Sequence, residues 1–425
     1  MSPVSTAPAP ALRRRPVRWR CAGALALGLA CGSLPRAEAD GFRAREEALK
    51  ALGIDAELRP RIHRAIDLAV RRIVRLQQPD GAYREAPPNT ARLDAGRASL
   101  LTLALAHAST TESMPAARRG ARRLFVEDSG DAAALRGQTY LAGIAGLLAA
   151  DPSCEVPPKD AADIGRALAG GQDGSTGWWA YNLGRTSKLR PGAAVMPGAV
   201  NLSTTQIAVL GLWGLSRARF EVPERVWIQH AKGICRYQSA DGSWPYGPAT
   251  AKQGYVNGTF MGIASVLVAE GALRKDAGPL DVVRDLAVAR TRGLSALRRD
   301  AAAFFRANEA LRSSRGRPGT FDAYGLYALE KACLFAGIDR IEGWSWYERG
   351  ATLLVEAQDE DGGWNHDLVS TAFGLLFLVR SPERHKPTVT VTEAPRPTAP
   401  VTPPPPPTIP GPPPTTTPSE PGGMR

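Results

Sequence analysis

The side chains of this sequence best suited to chemistry are Asp322, Tyr324, Tyr327, His366 and Asp367, and each opens a long apolar stretch. Asp322-Ala-Tyr324-Gly-Leu-Tyr327 runs into Ala328-Leu-Glu330, and His366-Asp367-Leu-Val-Ser-Thr371 runs into Ala372-Phe-Gly-Leu-Leu-Phe-Leu378. Carboxylates, phenols and imidazoles are the groups that general acid–base catalysis uses. Asp322, Asp367, His366 and Tyr324 are therefore the catalytic candidates, and Tyr324, Tyr327, Gln206 and Arg97 the ligand-binding ones. Four further apolar stretches open the same way, with Asp94 and Arg97, Gln138 and Tyr140, Ser203, Thr204 and Gln206, and Asn257 and Thr259. Asp, Ser, Thr and Asn are favoured at helix starts simply as caps. Capping accounts for Asp94, Asn257 and Thr320, but less readily for Tyr324, Tyr327 and His366.

Six almost wholly apolar helices are expected to position these residues, starting near Asp94, Gln138, Leu202, Asn257, Thr320 and His366. A helix that is apolar all round is buried on all sides. Six amphipathic helices precede them, over 60–77, 113–126, 160–171, 223–237, a long 281–312, and 346–358. The first sets Ile62, Ile66, Ile73 and Leu76 on one face and Arg64, Arg71, Arg72 and Arg75 on the other;. Its His63 falls on the charged side and is expected at the surface. No stretch alternates with period two, so essentially no sheet is expected. Alternation of six buried with six half-exposed helices predicts an all-α fold, an α/α toroid of about six inner and six outer helices. If the inner helices are parallel, their N-termini share one mouth, and their partial positive charges favour an anionic ligand there. The Trp178-Trp179-Ala-Tyr181 cluster is a further candidate for lining that mouth.

A clasp recurs at the ends of four amphipathic helices: Gln77 with Tyr83, Gln172 with Trp178, Gln238 with Trp244, and Gln358 with Trp364. Three copies carry Asp-Gly between the two residues, a turn in which Gly adopts backbone angles closed to other residues. The Gln amide offers two donors and an acceptor with which to tie down backbone. These residues read as structural rather than catalytic.

The clasps resemble the QW repeats of squalene–hopene cyclases and of the wider terpenoid cyclase/protein prenyltransferase superfamily, over about residues 57–381. The stretch Asp322–Glu330, then Trp346-Tyr347 and the last clasp, looks like exported bacterial toroids with such repeats. The resemblance implies the toroid fold. The catalytic marks of that superfamily are missing from the sequence. No D-x-D-D occurs; Asp359-Glu360-Asp361-Gly362 comes nearest but lies inside a clasp. D-D-x-x-D, the Asp-x-Cys zinc pair and the thioester motif of the complement-type toroids are also absent. No metal site and no cofactor is expected.

Residues 1–39 read as a signal peptide: five Arg between Arg13 and Arg20, an apolar run too short to span a bilayer, and Ala37-Glu38-Ala39;. Export to the periplasm or the medium follows, with no transmembrane helix in the mature chain. A rival reading places a lipid anchor on Cys31. Residues 40–381 form the toroid. Residues 382–425 hold 16 of the 36 prolines, too many to bury a core, and predict a disordered Pro/Thr-rich spacer open to a protein or envelope partner. Taking the six Arg and one Glu of the signal from the chain's 53 basic and 41 acidic residues leaves a net +7. That is modest for the size, and no nucleic-acid partner is expected. Cys154, Cys235 and Cys333 are too few and too scattered for a disulfide framework, although one pair is open to them;.

The expected function is therefore that of an exported squalene-cyclase-like α/α-toroid repeat protein. It would bind an apolar or anionic ligand, or a partner, in its central cavity. One alternative is a divergent terpenoid cyclase or transferase with an aromatic-lined apolar cavity. The other is a polysaccharide-active α/α-toroid enzyme with a Tyr or His base near an Arg, for which Tyr324, His366 and Arg97 are the nearest candidates.

Overall fold

The computed structural model describes residues 34–84, 94–125, 131–183, 200–248, 254–274, 278–313 and 321–379. All belong to the first of two units, which ends at Pro387. Cys31, most of the expected signal segment and the whole expected tail fall outside them.

The described residues are mostly helical. Six helices are nearly all apolar: α3 (Ala95–Ala108), α6 (Thr139–Ala150), α8 (Leu202–Arg217), α10 (Val256–Leu273), α12 (Ala323–Ala336) and α14 (Leu368–Val379). Six are amphipathic: α2 (Leu58–Leu76), α4 (Ser113–Phe125), α7 (Pro158–Gly170), α9 (Glu224–Arg236), α11 (Leu280–Ser313) and α13 (Trp346–Ala357). Two more, α1 (Leu34–Ala51) and α5 (Asp131–Gly137), have no counterpart in the sequence reading. α8 is typical of the apolar set. The Asn201 side chain accepts from Thr204 N at 3.0 Å to start it, and every residue from Leu202 to Ser216 is buried. Thr320 lies outside the described residues, and Asp322 caps α12 instead, accepting from Gly325 N at 2.7 Å.

The apolar helices pack in a fixed order: α3 on α6, α6 on α8, α8 on α10, α10 on α12, α12 on α14, and α14 on α3. The closest approach is between α6 and α8. A methyl added at Gly146 would lie 2.6 Å from the Gly211 carbonyl oxygen, and one at Gly211 would lie 2.5 Å from Gly143 Cα. Only glycines allow the two backbones to meet there. α10 is the one helix among the described residues long and apolar enough to cross a membrane, and it is mostly buried among its neighbours.

The clasps join successive amphipathic helices. Each Gln amide donates to the backbone of the next helix: Gln77 to Ala116 O in α4 at 2.8 Å, Gln172 to Val226 O in α9 at 3.0 Å, and Gln238 to Ala289 O in α11 at 2.9 Å. The last reaches back to the start of the fold, Gln358 to Ala65 O in α2 at 2.9 Å. Each amide also donates to its own turn, at Gly81, Gly177, Gly242 or Gly362. Those glycines have φ of +73° to +91°. A Cβ there would strike the receiving helix, 2.1–2.6 Å from the carbonyls of Arg119, Gln229, Arg292 and Leu68. Each of these lies three residues beyond the carbonyl that the Gln holds. Clasp aspartates pair with the same helices, Asp241 with Arg299 at 3.2 Å and Asp361 with Arg72.

In the first clasp the Tyr83 hydroxyl accepts from Gln77 Nε2 at 3.1 Å and meets Thr102 Oγ1 at 3.2 Å, whereas in the other three an indole caps the helix end. Trp244 Nε1 donates to Ile234 O at 2.8 Å and Trp364 Nε1 to Leu354 O at 2.8 Å, each carbonyl four residues before its Gln. Such last-turn carbonyls have no partner within the helix. In the Gln172 copy this indole belongs to Trp179, which donates to Leu168 O at 2.7 Å, and Trp178 is not the capping ring. The turn after Gln172 is one residue longer, so the aromatic position moves by one. Trp178 instead packs edge-on against Tyr237, its ring centroid 5.3 Å away.

Other departures have local causes. Two antiparallel pairs of two-residue strands, Trp179–Ala180 with Val200–Asn201 and Arg340–Ile341 with Trp344–Ser345, are the sheet among the described residues. His63 is 7 % exposed rather than at the surface, because α1 lies over it. It meets the Phe42 ring at 4.3 Å and Glu46 Oε2 at 3.1 Å. The three cysteines are free thiols.

Candidate functional site

The N-terminal ends of α6, α8, α10 and α12 converge on a cluster of tyrosines. Tyr324, in the first turn of α12, is the hub. Its hydroxyl donates to Gln206 Oε1 of α8 at 2.8 Å and lies 3.2 Å from Met261 Sδ of α10. Its ring packs edge-on against Phe373 of α14 at 5.2 Å, and its phenol interacts with Tyr140 of α6. One side chain thus reaches four of the other apolar helices. Tyr327, one turn on, is buried between Phe373 at 5.2 Å and the Lys331 ammonium, 4.9 Å from its ring centroid.

A second layer lies nearer to solvent. Tyr140 stacks on Tyr181, with centroids 5.9 Å apart. The hydroxyls of Tyr181 and Tyr246 are 2.9 Å apart, and Tyr246 meets Tyr255 edge-on at 6.1 Å. Tyr181 and Tyr246 are 50 % and 45 % exposed. Two clasps place them. Each follows its capping indole by two residues, Trp179 and Trp244. Their own carbonyls accept the first N–H of α6 and α8, from Thr139 at 2.9 Å and Leu202 at 2.8 Å. The backbone is therefore pinned, and the rings project from a fixed position.

The electrostatics are those of neutral phenols. Burial pushes Tyr324 well above the ordinary tyrosine value. It also raises Tyr255 and Tyr140, with neighbouring tyrosines as a secondary cause for Tyr255. Burial and then the Tyr246 hydroxyl push Tyr181 to about 12. Every shift keeps the proton on, so at neutral pH the cluster is a set of hydroxyl donors and acceptors. Gln206 is fully buried, its Oε1 is held by Tyr324, and its Nε2 has no hydrogen-bond partner. A buried amide donor left unmade costs about 1–3 kcal/mol, and a ligand acceptor would remove that penalty.

Of the residues singled out from the sequence, Tyr324 and Gln206 come together, with Tyr327 just behind them. Arg97 and Asp94 pair with each other at 2.7 Å, the carboxylate also capping α3 through Arg97 N. Asp322 caps α12 and accepts from the Asn257 amide. Asp367 caps α14, accepting from Ser370 N at 2.7 Å. His366 stands in the exposed turn of the last clasp, 3.4 Å from Asp359. Tyr246 and Tyr255 were not foreseen. The signal for Tyr246 is the shared spacing of Trp179-Ala-Tyr181 and Trp244-Pro-Tyr246, two residues past the indole.

No protein-family model matches this chain, and no curated protein sequence matches it.

Proposed function

We propose that the chain is an exported α/α toroid of the squalene-cyclase-like kind and that it binds a small ligand at one mouth without turning it over. Ring-wise packing of the six apolar helices, with α14 against α3, supports the toroid. So does the last clasp, which links the end of the fold to α2. The tyrosine cluster carries the binding reading. Phenols and one unpartnered buried amide, drawn from three helices and the loops between helices, make a pre-formed set of donors and acceptors;.

Two features favour binding over the enzymatic alternatives. Alkene protonation needs an acid poised in an apolar cavity, whereas Asp94, Asp322 and Asp367 are each engaged in capping their own helix. A tyrosine base needs a phenol that ionises near neutral pH, and burial moves Tyr324 the other way.

Incubation with squalene and with geranylgeranyl diphosphate, followed by product analysis, tests the reading. Recovery of both substrates unchanged is expected. A cyclic product that disappears in Asp322→Asn overturns it.

A further inference from the structure

We infer that the tyrosine mouth takes a neutral saccharide, with Tyr181 and Tyr246 as the platform and the Gln206 amide as the inward hydrogen-bonding anchor. This rests on the proposed reading of the site as a binding mouth and adds the chemical class of its ligand.

Three observations lead to that class. The first is shape and exposure. Tyr181 and Tyr246 are half-exposed, joined hydroxyl to hydroxyl at 2.9 Å, and each is backed by a second ring, Tyr140 at 5.9 Å and Tyr255 at 6.1 Å. Large aromatic rings left in water and held rigidly gain by covering their faces. Pyranose rings present flat arrays of C–H groups that cover such faces while their hydroxyls stay at the rim.

Second comes charge. The groups that act electrostatically on Tyr255 include its tyrosine neighbours and Asp322. Those acting on Tyr181, Tyr140 and Tyr324 include phenols and Ser203. A polyanion at this mouth would meet the Asp322 carboxylate as a like charge;. A neutral polyol brings no such penalty.

The third is hydrogen-bond inventory. Gln206 Nε2 is a buried donor without a partner, on the side chain whose Oε1 Tyr324 holds. Phenol hydroxyls both donate and accept. A ligand that itself both donates and accepts, at many closely spaced positions, satisfies this set; a hydrocarbon leaves the amide unpaired. Were the amide turned round, its oxygen would be the unpartnered atom, and a sugar hydroxyl would satisfy that equally well.

The experiment is isothermal titration of the full chain with cellohexaose, maltohexaose and chitohexaose. Tetramethylammonium and heparin serve as the competing chemistries, and a broad thermal-shift library runs in parallel. Binding of at least one neutral hexasaccharide is expected, weakened about tenfold or more in Tyr181→Ala and in Tyr246→Ala. Both rings are half-exposed, so unchanged melting curves for these variants establish that the fold is intact. Gln206→Met, of similar volume, should weaken the same saccharide while tetramethylammonium is unaffected. If the three hexasaccharides fail, or bind equally well to both Tyr variants, the saccharide inference is overturned. Binding of tetramethylammonium or heparin alone, lost in Tyr181→Ala, also overturns it while leaving the binding mouth standing. Should nothing in the library bind, the binding reading falls as well.

Discussion

Trp178 and Trp179 stand side by side, are both fully buried, and do different work. Trp179 Nε1 caps Leu168 O, whereas Trp178 Nε1 has no partner. Trp179→Phe should therefore lower stability by about 1–3 kcal/mol, through the lost bond and an orphaned carbonyl. Trp178→Phe discards an unsatisfied donor and should cost less. Chemical denaturation of the two variants checks this, and equal losses would contradict the assignment of the clasp ring. Trp244, which has no such neighbour, should cost about 3–5 kcal/mol on replacement by Ala. The melting temperature of that variant should fall accordingly.

At the scale of elements, helix types and most boundaries were legible because periodicity reports burial directly. α8, buried throughout, and α2, with Ile62, Ile66 and Ile73 inward, were recognised from pattern alone. α1 was not, because its apolar residues are few and residues up to Ala39 read as a signal. The partners of each clasp were not legible either. The sequence shows that Gln358 has an amide to offer, but not that Ala65, 293 residues earlier, receives it. That bond lies on the seam between α13 and α2. Gln358→Leu should cost about 1–3 kcal/mol by removing the inter-helix bond to Ala65 O and stranding Gly362 O;. Amide exchange in α2 and α13 should rise before that in α9. A uniform rise would contradict a seam effect.

The second clasp also contains a pH-sensitive group. His230 of α9 is fully enclosed, with Trp179 5.9 Å away. Burial lowers its pKa from 6.5 to about 4. In the unfolded chain the ordinary value returns, so falling pH protonates the unfolded state first. The stability this gives is whole above pH about 6.5 and is lost progressively as pH falls through about 4, amounting to roughly 3 kcal/mol. His230→Gln should flatten that part of the stability curve. A mutant curve parallel to wild type between those limits would show that His230 is not the group responsible.

For the whole molecule, the proposed toroid and its tyrosine mouth were read from the sequence to different depths. That polar residues gather at the starts of apolar helices was visible, and Tyr324 and Gln206 were named. His366 was named for the same reason yet turns outward. It holds the position two residues past the indole that Tyr181 and Tyr246 hold, but Asn365 and His366 both take left-handed backbone angles, φ 55° and 51°. A sequence pattern gives the position along the chain and not the direction of the side chain. The central claim is that this mouth holds a small ligand. Native mass spectrometry of the protein purified from its own host tests it most directly, comparing wild type with the Tyr181→Ala/Tyr246→Ala double variant. The account predicts a discrete added mass on the wild type, released unchanged on gentle activation and absent from the folded variant. Wild type carrying no added mass, or both proteins carrying the same one, would contradict it.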